Sequence, residues 1–248
     1  MSMTKVPVAL VLCALFAAAP SVAKKDKSIS MDGESGLIIT TGNTEATSLS
    51  AGLAGTQELT DWSNEYKFDA LYKQDKVNRA GNEVTETTAQ KYFLSGQANY
   101  KLTQENQRLF IFGSYEDDRF SDFKYQSTVA LGWNQEVFSN EKSKFSYSVG
   151  PGYSFSESQD GKDLDSIIVR AALQYSLRLS DSAKITQSLS SEFGELNTKS
   201  RSVTAVSATL KNALSMKVSL KLDHNSDVEG DSKKLDTETA VTLVYTFF

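Results

Sequence analysis

TETAVTLVYTFF, running from Thr237 to Phe248, is the stretch from which the fold is read. Val241, Leu243, Tyr245 and Phe247 fall on one face of an extended chain, and Thr242, Val244 and Thr246 fall on the other. That period of two marks a strand with one apolar and one mostly polar side. A face of aliphatic residues that finishes on aromatics suits a strand whose outer side meets hydrocarbon and whose end lies at a membrane interface. The alternation ends on Phe247, and Phe248 stands one residue beyond it.

The same alternation recurs upstream. In the seventh strand Phe145, Tyr147, Val149, Pro151, Tyr153 and Phe155 alternate with serines and glycines, aromatic at both ends and aliphatic in the middle. Phe145 to Phe155 spans about 33 Å along a strand, or about 25 Å along the normal at a ~40° tilt, the height of an apolar band between two aromatic girdles. Tyr92, Leu94, Gly96, Ala98, Tyr100 and Leu102 repeat the pattern, and Ile167 to Leu179 give it again at odd positions. The chain reads as twelve strands, at 33–42, 45–58, 63–76, 88–102, 107–120, 123–138, 144–157, 165–179, 183–195, 200–214, 217–227 and 237–248. Tight connections near Thr60, Thr103, Ser139, Ser180 and Ser215 alternate with longer polar ones, clearest at Val77–Thr87, Ser158–Leu164 and Val228–Leu235. An even count with short turns on one side and longer loops on the other is the outer-membrane arrangement. Pro151 removes a ladder donor in mid-strand and predicts a bulge between Gly150 and Gly152.

At the other end, Lys5 precedes an apolar run from Val6 to Ala19, and Ser21 and Ala23 offer small residues for a peptidase. Residues 1–23 are therefore expected to be a secretory signal peptide, 24–32 a short periplasmic leader, and 33–248 the barrel. The apolar run is too short to span a bilayer as a helix. Cleavage after Ala23 removes Lys5, taking the net charge of −5 one unit further negative, and removes Cys13, the sole cysteine. The exported chain then has no thiol chemistry and no disulfide. Nucleic acid is an unsuitable partner for such an acidic chain without a basic stripe.

Alternation alone does not separate a membrane barrel from a soluble sandwich, whose aromatic face would be its core. The signal peptide, the girdle spacing and the aromatic finish favour the barrel. The last strand also resembles the final strand of bacterial outer-membrane barrels, where apolar residues at alternate positions end on an aromatic. That resemblance implies that Tyr245, Phe247 and Phe248 form the signal read by the barrel-assembly machinery. GLIITTGNTEATSLSAGL (Gly36–Leu53), YEDDRFSDFKYQ (Tyr115–Gln126), PGYSF (Pro151–Phe155), HNSDV (His224–Val228) and the last twelve residues together resemble the salt-induced outer-membrane protein family. The resemblance implies a barrel in the outer membrane of a Gram-negative bacterium, responding to osmotic stress, and it supplies no catalytic residues.

Gly42, Asn43, Thr44 and Glu45 read as a hairpin turn, because Asn and Gly tolerate positive φ. Glu116, Asp117 and Asp118 cannot converge on a cation while successive side chains point to opposite faces, so they read as a solvated loop base with a local ion pair to Arg119. His224 and Ser226 share a strand face and resemble the His and Ser pair of outer-membrane phospholipases, but no orienting Asn or Asp is assignable to them. No catalytic, cofactor or metal site is expected. By parity, Arg170, Arg178, Lys184, Lys211, Lys217 and Lys221 point inward from strands eight to eleven, facing Glu65, Asp69, Glu116 and Asp118, with Lys67 and Lys73 among these. Such charges either pair across the lumen and plug it, or line a narrow pore that favours anions.

The reading is an all-β chain: a single antiparallel transmembrane barrel of about twelve strands, inserted as a monomer among outer-membrane lipid and lipopolysaccharide. It is not an enzyme, and serves as a narrow passive pore or a structural envelope protein. One alternative is an outer-membrane lipid hydrolase using His224 and Ser226. The other is a soluble periplasmic barrel holding a small apolar ligand.

Overall fold

The computed structural model describes residues 28–40, 46–79, 82–103, 106–119, 121–228 and 234–247. The expected signal peptide, the 42–45 turn and Phe248 lie outside the described residues. The described residues form twelve strands: β1 (Ser28–Thr40), β2 (Ala46–Glu58), β3 (Trp62–Arg79), β4 (Asn82–Lys101), β5 (Gln107–Asp118), β6 (Phe123–Ser139), β7 (Ser143–Ser158), β8 (Ser166–Arg178), β9 (Ala183–Gly194), β10 (Thr198–Lys211), β11 (Leu214–Asn225) and β12 (Leu235–Thr246). Each pairs antiparallel with its neighbour in sequence, and β1 pairs with β12, so the sheet is a closed barrel with no free edge. Closure gives every strand a hydrogen-bonded neighbour on both sides, the condition for crossing hydrocarbon with strands.

Alternation places the side chains as the sequence implies. Leu109 and Ile111 on β5, Val129 and Leu131 on β6, Val149 and Tyr153 on β7, and Val241, Leu243 and Tyr245 on β12 all stand exposed on the outer face. Ile167 is 75% exposed and Leu131 61%. A continuous apolar belt of this extent has no place in water, and it removes the soluble reading. Aromatics gather at its two ends. Trp62 and Tyr100 meet at 5.1 Å, Phe138 and Phe145 at 5.7 Å and Tyr245 and Phe247 at 5.2 Å towards the short turns. Tyr115 and Tyr125 stack at 6.3 Å, and Tyr153 and Phe155 meet at 4.7 Å, towards the other rim. This is the outer-membrane type of barrel, with an apolar band between two girdles.

Three expectations change. β1 begins at Ser28, inside the stretch expected to be a leader, and keeps an unbroken register with β2 from Ser28↔Glu58 to Thr40↔Ala46. The expected loop Val77–Thr87 is strand for most of its length, with Val77 opposite Val84 and Arg79 opposite Asn82. A hairpin that projects past the lipid still pairs its backbone but has no reason to keep an apolar face, so its sequence lacks the alternation by which the other strands were found. Finally, Pro151 lies in an unshifted register, Gly150, Pro151 and Gly152 pairing with Arg170, Val169 and Ile168. On the β6 side the register is likewise unshifted from Ala130↔Gly152 to Trp133↔Val149, and the β6–β7 irregularities fall between Phe123 and Tyr125 and between Glu136 and Phe138. Next to Pro151, Gly132 and Gly150 face each other so closely that a Cβ on either would lie within 2.6 or 2.7 Å of the other's Cα.

The β1–β12 seam is the shortest ladder, four pairs from Asp32↔Thr246 to Ser35↔Leu243. It is extended by the Phe247 amide donating to the Met31 carbonyl at 2.8 Å. The Phe247 ring lies over Gly33, where a Cβ would come within 2.8 Å of Cε2. Inside, the buried apolar cluster is small, Phe110, Phe112 and Ala130. The interior is otherwise polar, and that is where the candidate site lies.

Candidate functional site

The polar faces of β4, β5, β10 and β11 converge in the half of the lumen away from the short turns. Glu116 on β5 is only 6% exposed. Its carboxylate meets the Lys91 amine of β4 at 2.6 Å, the Lys199 amine of β10 at 2.7 Å and the Arg201 guanidinium of β10 at 2.7 Å. Asp223 on β11 takes Arg201 through two nitrogens, at 2.5 and 3.2 Å, and Lys91 at 3.3 Å. Lys91 also reaches Asp118 at 3.3 Å, and Lys221 lies 3.6 Å from Asp223 and 3.8 Å from Glu238. The Arg201 guanidinium stacks on Phe93 at 4.5 Å, an arrangement open to arginine because its planar cation is weakly hydrated.

The topology makes this cluster a bridge. β4 and β11, and likewise β5 and β10, stand five places apart round the twelve-stranded ring, one short of opposite. Direct contacts of Lys91 with Asp223, and of Lys199 and Arg201 with Glu116, therefore span the lumen. Nearer the short turns the Gln174 amide of β8 crosses in the same way to Glu65 of β3 at 3.1 Å. Lys217 pairs with Glu34 across the β1, β12 and β11 sector.

Between these crossings lies a cavity of about 320 Å³, lined by residues including Glu65, Phe93, Phe112, Arg170, Lys199 and Arg201. A smaller space of about 90 Å³ adjoins Glu34, Asp69, Lys91, Lys217 and Lys221. Arg170 is 7% exposed and lies flat on the Phe112 ring at 3.7 Å. Glu192 is 3.7 Å from its Nε, beyond hydrogen-bonding distance, and is engaged by the Thr128 hydroxyl at 2.8 Å. Nε and Nη1 of Arg170 are buried without a hydrogen-bond partner.

The structure distributes the residues singled out by parity along the barrel axis. Arg170, Lys217, Lys221, Glu65 and Asp69 border the two internal spaces. Arg178 and Lys184 sit opposite one another at the short-turn ends of β8 and β9, and Lys211 follows a register shift at the end of β10; all three are exposed. Lys67 pairs with Asp69 at 3.0 Å and Lys73 with Asp75 at 2.9 Å. Glu116 and Asp118 do not form a solvated loop base. β5 continues to Asp118, so both point inward while Asp117 lies on the outer side, and Glu116, like Asp223, is paired with three cations of the interior. Lys91, Lys199, Arg201, Asp223 and Glu192 were not singled out from the sequence. All sit at the inward parity of their strands, which is the signal that identifies them.

His224 faces outward, opposite Ser200 and Leu235. Ser226 lies beyond β11, donating its hydroxyl to Asn197 Oδ1 at 3.2 Å and accepting from the Thr198 amide at 2.8 Å. Its hydrogen bonding thus fastens the β9–β10 turn to the end of β11, and does not join Ser226 to His224 as nucleophile to base.

A family model described as "Protein of unknown function, DUF481" matches residues 33–247. The uncharacterized protein YdiY of Escherichia coli (strain K12) is 24% identical over 213 residues, covering 85% of this chain and 80% of its own. Among solved structures, the chain is similar to an outer membrane channel from Pseudomonas putida F1, with TM-score 0.49, 10% identity, and coverage of 93% and 100%. It is also similar to the NanC porin, with TM-score 0.48, 7% identity, and coverage of 89% and 99%.

Proposed function

The chain belongs to the DUF481 family of proteins of unknown function, and on that premise we propose that it is a narrow passive pore of the outer membrane whose bore is set by the ion pairs of Lys91, Glu116, Lys199, Arg201 and Asp223. The observation that carries this reading is the character of the interior. A barrel kept only for its shell would do best with packed apolar side chains, because buried ion pairs of similar volume are often less stabilising than hydrophobic ones. This interior instead holds charged side chains around spaces large enough for water, beneath a constriction made of flexible lysines and an arginine. Fixed charge at a narrow point is how pores select what enters. Catalysis is not part of the proposal, since the Ser226 hydroxyl is engaged by Asn197 and the Thr198 amide and not by His224.

The direct cross-lumen contacts favour a second reading, a structural barrel held shut by its own ion pairs. Planar-bilayer recording of the purified protein separates the two. A small, steady conductance that grows when Glu116→Gln and Asp223→Asn are combined is the expected result. Silence in both proteins would leave the structural barrel. The osmotic-stress role implied by the family resemblance is tested by growth of a deletion strain at high salt, with the wild-type gene and the double variant compared as complements.

A further inference from the structure

We propose that the lipid-facing side of β9 and β10 is the contact surface for a second copy of this chain, the two barrels pairing in the membrane about a two-fold axis. The inference goes beyond the pore reading and does not depend on whether the lumen conducts. It starts from a polar island in the apolar belt. Gln187 and Ser191 of β9 and Ser200, Ser202 and Thr204 of β10 share the outward parity of Leu189, Phe193 and Val206, which stand exposed. On the neighbouring β7 and β8 the outward Val149, Pro151, Val169, Ala171 and Leu173 carry no polar side chain. The island lies at hydrocarbon depth. Thr204 and Gln187 pair four register steps from the short-turn end of their ladder at Ala208 and Ala183, and Ser200 and Ser191 pair eight steps from it. At about 3.3 Å per residue and a ~40° tilt these pairs stand about 10 and 20 Å along the normal, within an apolar band about 25 Å tall.

Within one chain these groups satisfy one another only in part. The Thr204 hydroxyl donates to Gln187 Oε1, Gln187 Nε2 donates to Ser202 Oγ at 3.0 Å, and the Ser191 and Ser200 hydroxyls share one bond of 2.8 Å. A hydroxyl has one hydrogen to donate. Ser202 therefore accepts a bond but has no acceptor for its own hydrogen among the described residues, and the same is true of whichever of Ser191 and Ser200 accepts. Lipid tails supply no acceptor, and a polar group left unmet in hydrocarbon is costly.

A second copy meets this need by symmetry. Copies inserted the same way in one membrane can be related by an axis along the normal, which sets each surface against itself with every group at its own depth. Hydroxyls and amides are donors and acceptors at once, so such a patch is complementary to itself, and serines let the two backbones come close. An unrelated barrel has no reason to carry matching groups at these depths. Four strands about 4.8 Å apart over that band offer on the order of 500 Å² per copy, the scale of a weak, reversible interface, so the pairing is best read in the membrane itself.

The test is disulfide trapping of the full chain in outer membranes with copper phenanthroline. Ser200→Cys and Thr204→Cys are made singly in a Cys13→Ser background, so that each introduced thiol is the sole one. At least one should give a product of twice the barrel's mass, while Leu131→Cys, exposed on β6 away from the patch, should stay monomeric. Gln187→Leu combined with Ser202→Leu in the trapping variant should cut the dimer about ten-fold, the scale of two modest hydrogen bonds between membrane segments. The heat-modifiable band should persist, since both changes place apolar groups against lipid. Should the pair of changes prevent folding, Ser202→Ala carries the test with a smaller, several-fold loss. No dimer at either position, trapping equal to that of Leu131→Cys, or a yield untouched by the leucine or alanine changes overturns the inference. A product with a protein of another mass overturns it too, by giving the face a different partner.

Discussion

Glu116 is where a single residue has most influence. It is buried, and its two oxygens accept from three cations on two other strands. Replacing it with Gln keeps the volume and removes the charge, leaving Lys91, Lys199 and Arg201 facing one another with only Asp118 and Asp223 to share. Breaking a buried pair from one side costs about 3–5 kcal/mol, because the surviving partner stays desolvated and unmatched. Glu116→Gln should therefore lower the temperature at which the folded band is lost on unboiled gels, and Glu116→Gln combined with Lys199→Gln should recover part of that loss. If the two changes simply add, the pair is not coupled and the cluster is not the unit described here. Parity, read from the sequence, put Glu116, Asp118 and Arg170 on the inward side. It could not say which inward charges meet, because that depends on the offset between strands half a circumference apart, and that offset accumulates register by register. Lys91 and Asp223 are 132 residues apart and become partners only once the ring is closed.

At the level of the strand, legibility followed the lipid. Where a strand crosses the apolar band it must alternate, and every such strand was found within three residues of its bounds except β1 and β4, which start five and six residues earlier than expected. Where β3 and β4 run beyond the band the alternation lapses, and Val77–Thr87 reads as a loop although it is paired. Pro151 shows the same limit, since the sequence displays a missing donor but neither the unbroken register on both its sides nor the close approach of Gly132 and Gly150 next to it. β12 has a further task, to complete the ring over the four-pair seam with β1. Phe247 extends that seam by its amide and covers Gly33 with its ring. Deleting Tyr245 to Phe248 removes two of the four seam pairs and the Phe247–Met31 bond, and should thus open the β1 edge enough to abolish the heat-modifiable band. Deleting Phe248 alone should be milder, because the outward alternation ends on Phe247. Equal loss from both deletions would place the closing contact at Phe248 and not in the seam as described.

For the whole molecule, the question is what a charge-filled tube does to ions. A wall of inward cations viewed alone would favour anions. The structure sets carboxylates against the cations: at the constriction Lys91, Lys199 and Arg201 face Glu116, Asp118 and Asp223, equal in number. Selectivity follows the unbalanced charge at the narrowest point, where little water screens it. The wild type should accordingly discriminate only weakly between potassium and chloride, despite the net charge of −5 on the chain. Converting Glu116 to Gln and Asp223 to Asn leaves three cations against one carboxylate, and the reversal potential across a salt gradient should move clearly towards that of chloride. The shift should shrink as salt is raised, since the Debye length falls from about 10 Å at 0.1 M to about 3 Å at 1 M. Arg178→Glu, at the exposed rim, should move it far less. A reversal potential that ignores the double change but follows Arg178→Glu would put the selective point at the short-turn rim. The cross-lumen ion pairs would then be a brace for the barrel wall, with the ion path passing to one side of them.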